Sequence, residues 1–98
     1  MTRRFRVDLA VWDELRDAVN WYEEHGQGLG GELLEVVERA LDEIREAPER
    51  WPLWKANRSY RRRVLRRFPY SIFYVVDPDV IIIVALAHHK RRPGYWLP

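Results

Sequence analysis

The chain has 98 residues, of which 47% are hydrophobic and 33% are charged, and this balance is typical of one globular domain spanning residues 1–98. It contains no cysteine, which excludes disulfides and thiolate metal sites, and its longest apolar run is eight residues, which excludes a signal peptide and a membrane span. We therefore expect a cytoplasmic protein that neither binds a membrane nor needs a cofactor.

Charge is distributed unevenly along the chain. Residues 8–49 hold 13 acids and 3 bases, a net charge of −10, whereas residues 50–98 hold 11 bases and 2 acids, a net charge of +9. Two interpretations are open at this point. Acidic helices and a basic sheet attract each other, or the basic half forms a face that binds nucleic acid or an acidic peptide.

Apolar periodicity predicts one strand and two helices in the first half. Phe5 and Val7 alternate with arginines, which indicates a short strand with one buried face. An apolar stripe then predicts a helix whose first turn is capped by the Asp8 carboxylate and which ends in a left-handed turn at Gly26. A second stripe predicts a helix over residues 29–47, and the short link between the two implies an antiparallel hairpin. The stripes are Trp12, Leu15, Val19 and Tyr22 in the first helix, and Leu33, Val37, Ala40, Leu41 and Ile44 in the second.

Three strand patterns follow a loop at residues 48–59. An arginine-rich stretch leads to a strand at residues 71–76, and residues 80–87 are all apolar, which is typical of an internal strand buried on both faces. The sequence thus predicts an α+β fold of order β-α-α-β-β-β, with a four-stranded antiparallel sheet and the helical hairpin packed on one face. Either a partner or aromatic side chains must cover the other face, and the candidates are Phe73, Tyr95 and Trp96.

Six of the ten residues in the segment 58–67 are arginine. In an unbroken strand, alternation would place Arg61, Arg63 and Arg67 on one side and Arg62 and Arg66 on the other. Guanidinium groups bind phosphate and carboxylate with a planar fork, so we expect a binding role for part of this set while one or two members stay solvated. With the cations that follow the last strand, the expected binding set is Arg61, Arg62, Arg63, Arg66, Arg67, Lys90, Arg91 and Arg92.

His88 and His89 end the last strand beside this basic cluster, where a histidine can act as acid or base. The alternative is that one histidine caps the core and the other is solvated. His25 ends the first helix, where a cation interacts favourably with the helix dipole. Histidines so dispersed do not form a metal site, and we expect none. Tyr95 either stacks on a nucleobase or helps to fill the bare sheet face.

The order of these elements and several short motifs resemble the RelE/ParE superfamily of toxins. The resemblance covers nearly the whole chain and implies the toxin of a bacterial type II toxin–antitoxin pair, often called a plasmid stabilisation protein. Such a toxin is neutralised by a cognate antitoxin, with which it forms a hetero-oligomer. The motifs are Trp21-Tyr22-Glu23 late in the first helix, Leu29-Gly30 opening the second, Pro48 after it, and residues 66–74 and 87–96.

The superfamily has two branches with different activities. RelE-like members cleave mRNA on the ribosome without a metal, by attack of the 2′-hydroxyl on the adjacent phosphate, whereas ParE-like members inhibit DNA gyrase. Nuclease members usually carry an arginine where this chain has Ser71, and serine cannot stabilise charge developing on the phosphate as arginine does.

The resemblance therefore favours a non-enzymatic, ParE-like toxin over a metal-independent endoribonuclease. A third alternative is a degenerate member that only binds its antitoxin and co-represses their operon. For the ribonuclease, the expected catalytic residues are Arg62, Arg63, His88, His89 and Tyr95.

Overall fold

A computed structural model describes residues 3–97. It confirms the order β-α-α-β-β-β and the α+β class. Within those residues, neither helix is long and apolar enough to cross a membrane. The elements are β1 (Arg4–Val7), α1 (Leu9–His25), α2 (Leu29–Glu46), β2 (Arg61–Val64), β3 (Tyr70–Val76) and β4 (Val80–His88).

The four strands form one sheet in the order β1-β4-β3-β2, so β4 is internal as predicted. β2 pairs with β3 and β3 with β4 in antiparallel fashion, but β1 runs parallel to β4, with Arg4 opposite Val80 and Val7 opposite Ile83. The prediction of a purely antiparallel sheet was therefore wrong for β1, and the sheet is mixed.

The parallel pairing of β1 follows from the end of the sheet to which α2 returns the chain. Arg3, just before β1, donates to Glu49, just after α2, at 3.1 Å. Arg61, the first residue of β2, donates to the Trp51 carbonyl at 2.7 Å. The hairpin thus returns the chain to the end of the sheet where β1 began. β2 starts from that end, and two reversals then make β4 parallel to both β2 and β1.

A bulge in β4 decides which of its side chains face the helices. Phe73 pairs with Ala85. Tyr74, the next residue, pairs with Ile83, so Val84 between them has no partner in β3. The extra residue shifts the alternation of β4 by one position. The residues that consequently face the helices are Ile81, Ile83 and Leu86, and those that face the other side are Val84, Ala85 and Ala87.

The core has two parts of unequal size. The larger part lies between the sheet and the hairpin, so both helices pack on one face as predicted. On the opposite face, Phe73 and two alanines of β4 are covered by Trp54, Tyr95 and Trp96 rather than by either described helix. Trp96 lies 4.3 Å from Phe73 between ring centroids, and Trp54 lies 5.0 Å from it. Aromatic side chains therefore cover this face.

The helices match their predicted bounds, with corrections at the first stripe and the caps. The predicted α2 stripe is buried throughout, whereas in α1 the buried positions are Val11, Leu15 and Ala18, and Trp12 is 45% exposed. Asp8 precedes α1, but its carboxylate caps no amide among the described residues. Gly26 is extended at φ −178°, and it is Gly28 that takes the left-handed conformation, at φ 86°.

Glu23 performs the capping that the link between the helices lacks. Its two carboxylate oxygens accept the backbone N–H groups of Gly28 and Gly30, each at 3.0 Å. A carboxylate at this position satisfies amides that begin α2 and interacts favourably with its dipole. The same contact draws α2 against α1 so closely that a Cβ on Gly30 would lie 2.6 Å from the Val19 carbonyl oxygen.

Two neighbouring glycines test this close approach. Gly30→Ala should lower the free energy of unfolding by about 1–3 kcal/mol, because the new methyl forces the helices apart. In Gly31→Ala, the new Cβ would have no described atom within 4 Å apart from its chain neighbours and the nearby backbone of α2. The control should therefore be neutral or stabilising by up to about 1 kcal/mol, through helix propensity. Urea unfolding of both variants measures the difference, and equal effects would refute the close packing.

Candidate functional site

The arginines of β2 are divided by strand alternation between the two faces of the sheet, as predicted for residues 61–63. Arg61 and Arg63 contact the helix side. Arg62 lies on the other side, with its guanidinium 5.8 Å from the Phe73 ring. β2 ends at Val64, so Arg66 and Arg67 are in the following turn and do not extend the alternation.

Arg63 is bound to α2. Its guanidinium donates to the Glu43 carboxylate at 2.7 Å and to the Ala40 carbonyl at 3.2 Å, and it lies 4.3 Å from the Trp51 ring centroid. The Arg63 hydrogen bond holds the pKa of Glu43 below its usual range. The side chain of Arg63 is only 16% exposed. These contacts orient Arg63 towards the hairpin, away from the face that carries Arg62.

Arg61 and Arg67 are also held by the protein itself. Arg61 supports the loop after α2 through the Trp51 carbonyl, and Tyr74 supports the same loop with a 2.7 Å bond from its hydroxyl to the Pro48 carbonyl. Burial raises the pKa of Tyr74 to about 12, so this hydroxyl stays protonated at neutral pH. Arg67 pairs with Glu32 of α2 at 2.7 Å. Arg66 is exposed and has no ion pair in the part of the chain that the structure describes.

Arg62 instead joins a polar cluster at the end of β3. Its Nε donates to the Ser71 hydroxyl at 3.1 Å, and that oxygen lies 3.0 Å from Nε2 of His89. Ser71 is 1% exposed, so its hydroxyl is held between the two basic side chains. The tautomer of His89 decides whether the Ser71 hydroxyl donates to Nε2 or accepts from it. We call Arg62, Ser71 and His89 the Arg62 cluster.

His88 points to the opposite side of β4 from His89. Its ring meets Tyr70 edge-on at 5.0 Å between centroids, and its Nδ1 accepts the Lys90 backbone N–H at 3.0 Å. Burial lowers the pKa of His88, and the charges of Lys90 and His89 lower it further. The ring lines a cleft of about 480 Å³ together with Tyr70 and Trp21. The two histidines therefore do not act on one point.

Tyr95 is held by Glu14 of α1. Its hydroxyl donates to the Glu14 carboxylate, which also accepts the Leu86 backbone N–H at 3.1 Å and pairs with Arg91 at 3.6 Å. The Arg91 guanidinium stacks 3.5 Å from the Tyr95 ring centroid. Burial raises the pKa of Tyr95, and the hydrogen bond to Glu14 raises it further. Tyr95 thus covers the bare sheet face, the second of its two predicted roles.

Of the five expected ribonuclease residues, only Arg62 and His89 are brought together, through Ser71. Arg63 and Tyr95 are each engaged with a carboxylate elsewhere. Lys90 and Arg92 are exposed in the turn after β4. Among residues 3–97, no group of three histidines or carboxylates is placed to hold a metal ion.

Sequence reasoning missed the glutamates that hold these side chains. Glu14 is not part of the predicted α1 stripe. The available signal was its position one residue before the buried Leu15, at the border of the buried face. Glu43 likewise precedes the buried Ile44. His25 acts as predicted, with Nδ1 donating to the Trp21 carbonyl near the C-terminus of α1 at 2.7 Å.

The lowered pKa of His88 predicts a pH dependence of stability. The unfolded chain takes up this proton near the ordinary pKa of 6.5, above the folded value, so the folded state loses stability as pH falls below about 6.5. His88→Gln cannot titrate. Between about pH 7.5 and about pH 5, the free energy of unfolding, measured with urea, should therefore fall less in this variant than in the parent. Equal losses in both proteins would contradict the assignment.

Comparison with known proteins places this geometry in a family. The sequence model of the ParE toxin of the type II toxin–antitoxin system parDE matches residues 5–93. Toxin ParE2 from two Mycobacterium tuberculosis strains is 33% identical over 96 residues, which covers 96% of this chain and 89% of the relative.

Among solved structures, the chromosomal ParDE system from P. aeruginosa superposes with a TM-score of 0.67 at 13% identity. The match covers 89% of this chain and 96% of that one, and it shows a shared fold. A type II toxin–antitoxin system consists of a toxin and its antitoxin, so membership of this family implies an antitoxin as partner. By its sequence and its fold, the chain belongs to the ParE toxin family of type II toxin–antitoxin systems.

Proposed function

We propose that this ParE-type toxin inhibits growth in the cytoplasm by acting on DNA gyrase, and that it does not cleave RNA. The observation that carries the proposal is the separation of the side chains expected of a ribonuclease. Cleavage through the 2′-hydroxyl needs an acid, a base and a cation around one phosphate. Here Arg63 is bound to Glu43 and Tyr95 to Glu14, on different faces of the sheet.

The position of Ser71 supports the same conclusion. In the nuclease branch, the matching residue is usually an arginine, and its charge stabilises the phosphate in the transition state. Ser71 is neutral and 1% exposed, and its hydroxyl is hydrogen-bonded to Arg62 and His89. Loss of one such electrostatic contact typically costs about 10²–10³ in rate.

A ribonuclease remains the second candidate because Arg62 and His89 do lie together. A histidine beside a guanidinium can move a proton while the cation stabilises the phosphate. This pair could act only with a further donor or acceptor for the second proton, and His88, its nearest candidate in sequence, points to the opposite side of β4.

The target prediction is tested with purified proteins. The toxin should inhibit supercoiling of relaxed plasmid by DNA gyrase, and it should leave mRNA in the A site of programmed ribosomes intact. His88→Ala combined with His89→Ala should keep gyrase inhibition, because neither imidazole acts in chemistry. A ribonuclease would lose roughly 10²–10⁴ in rate with its general acid and base.

Two controls make this test decisive. Circular dichroism establishes that the double variant is folded before its activity is compared. Addition of the antitoxin should abolish gyrase inhibition by both proteins. Codon-specific mRNA cleavage by the parent, lost in the double variant, would overturn the gyrase assignment and support the ribonuclease.

We also propose that an acidic, amphipathic segment of the antitoxin binds across the helical hairpin and along the basic strand, near residues 61–67. Charge complementarity supports this placement, since residues 50–98 carry a net charge of +9. Arg66 and Arg67 are exposed at this end, and Arg67 pairs with Glu32 of α2. Rim charges of this kind mainly set the association rate, whereas buried contacts set the affinity.

Reversal of this charge should therefore slow complex formation. Arg66→Glu with Arg67→Glu should lower the association rate with the antitoxin and weaken its dependence on salt, measured by stopped-flow fluorescence. Arg3→Glu with Arg4→Glu makes the same change in net charge at β1, on the opposite edge of the sheet. If both pairs slow association equally, the effect is one of total charge and the proposed contact is wrong.

A further inference from the structure

The Arg62 cluster lies at a small cavity that is lined by positive side chains. The cavity measures about 30 Å³, and the polar residues that border it are Arg62, Ser71, His88, His89 and Arg91. Of these, His88 turns its ring towards Tyr70 on the other side of β4. Among the described residues that line it, none is a carboxylate. Arg91 is already paired with Glu14, so Arg62 is the arginine of this lining that has no carboxylate partner among residues 3–97. Its unpaired charge favours the binding of an anion.

Arg62 differs from its neighbours in what it binds. Arg63 and Arg67 are paired with carboxylates, and Arg61 donates to backbone carbonyls. Arg62 donates through Nε to a neutral hydroxyl, and no carboxylate of residues 3–97 lies within ion-pair distance of it. Its two terminal nitrogens, which form the fork that binds phosphate side-on, are not used by this bond. The charge of Arg62 is thus held in place without a counter-charge.

The surroundings fix the orientation of the Arg62 guanidinium. Ser71 is buried and anchored by His89, so the bond to Nε has a rigid acceptor. The Phe73 ring lies beneath the guanidinium at 5.8 Å. Phe73 is itself packed by Trp54 and Trp96. A planar cation held by a hydrogen bond and an aromatic face loses little freedom when it binds an anion.

We propose that the Arg62 cluster binds one phosphodiester group of a nucleic-acid backbone, without cleaving it. The cavity holds about as much as one or two water molecules, so it can admit phosphate oxygens but not a nucleobase. Such a contact positions the strand and reads no sequence. Lys90 and Arg92, exposed in the turn after β4, are available for neighbouring phosphates. The inference does not depend on gyrase as the target.

Salt dependence of nucleic-acid binding tests this proposal directly. Fluorescence anisotropy of the antitoxin-free toxin is measured with labelled duplex DNA, single-stranded DNA and RNA, each in two unrelated sequences, between about 50 and 200 mM salt. Arg62→Gln should weaken binding to both sequences alike. It should also reduce the slope of log K against log salt by about 0.9 for duplex DNA or about 0.7 for single strands, the loss of one phosphate contact.

Control variants distinguish binding at the Arg62 cluster from nonspecific attraction by the positive charge of the protein. Arg4→Gln removes the same charge from a side chain that is 79% exposed on the far edge of the sheet, and it should change the slope less. Arg62→Lys keeps the charge without the fork and should recover the slope but only part of the affinity. Ser71→Ala keeps every charge but frees the guanidinium, so it should weaken binding several-fold with the slope unchanged.

The outcomes decide the source of the phosphate. Preference for duplex DNA, single-stranded DNA or RNA, lost in Arg62→Gln, identifies the strand that is bound. Equal slopes for Arg62→Gln and Arg4→Gln, in proteins shown by circular dichroism to be folded, would overturn the proposal. Binding of inorganic phosphate without any binding of the three nucleic acids would also overturn it. So would cleavage of mRNA that is lost in Arg62→Gln.

Discussion

The fold depends on one constraint, which is that β4 is covered on both faces although residues 3–97 form a single helical hairpin. The hairpin covers one face, and the other is closed by Trp54, Tyr95 and Trp96 over Phe73. β1 is short and ends opposite Ile83, so β4 has no β1 neighbour where it continues to Leu86. The N–H of Leu86 would lack a partner there, and Glu14 of α1 accepts it.

Glu14 is the link between this uncovered edge and the C-terminal segment. The same carboxylate accepts the Tyr95 hydroxyl and pairs with Arg91, so one side chain holds α1, β4 and the last turn together. This arrangement places Trp96 against Phe73, and Phe73 in turn supports Arg62. The cover of the second face and the orientation of Arg62 thus share one origin.

The charge asymmetry of the chain has different consequences on the two faces of the sheet. Arg63 and Arg67 bind glutamates of α2, which is the attraction between acidic helices and basic sheet that the composition suggested. Arg62 faces the opposite side, and no carboxylate of residues 3–97 lies within ion-pair distance of it. The attraction between helices and sheet is therefore observed at Arg63 and Arg67, whereas a binding face is what we propose for the side that carries Arg62. Alternation along β2 decides which of its arginines face the acidic helices and which do not.

Much of the fold could be predicted from local pattern. The helix bounds, the internal position of β4 and the aromatic cover over Phe73 follow from periodicity and from the apolar content of residues 80–87. The parallel pairing of β1 could not be predicted this way, because it depends on where α2 returns the chain. The bulge at Val84 was hidden too, since a strand apolar on both faces shows no break in alternation.

The site was less predictable than the fold, because partners decide what each arginine does. The residue types near Arg62 were identified, but Arg63 was assigned to the same site since sequence does not show that Glu43 lies within 2.7 Å of it. In the sequence, Ser71 was informative only because nuclease members usually carry an arginine at that position. Its hydroxyl instead bonds both Arg62 and His89, and the contact with His89 joins residues 18 positions apart, which no periodicity indicates.

Hydrogen exchange monitored by mass spectrometry tests the role of Glu14 most directly. Glu14→Gln removes the acceptor of the Tyr95 hydroxyl and the charge that pairs with Arg91, whereas Tyr95→Phe removes the hydroxyl alone. The account predicts that in Glu14→Gln the amides of residues 84–87 and 94–97 exchange faster while α2 keeps its protection, with a smaller effect in Tyr95→Phe. Unchanged exchange in these two segments, or an equal increase throughout the chain, would contradict it.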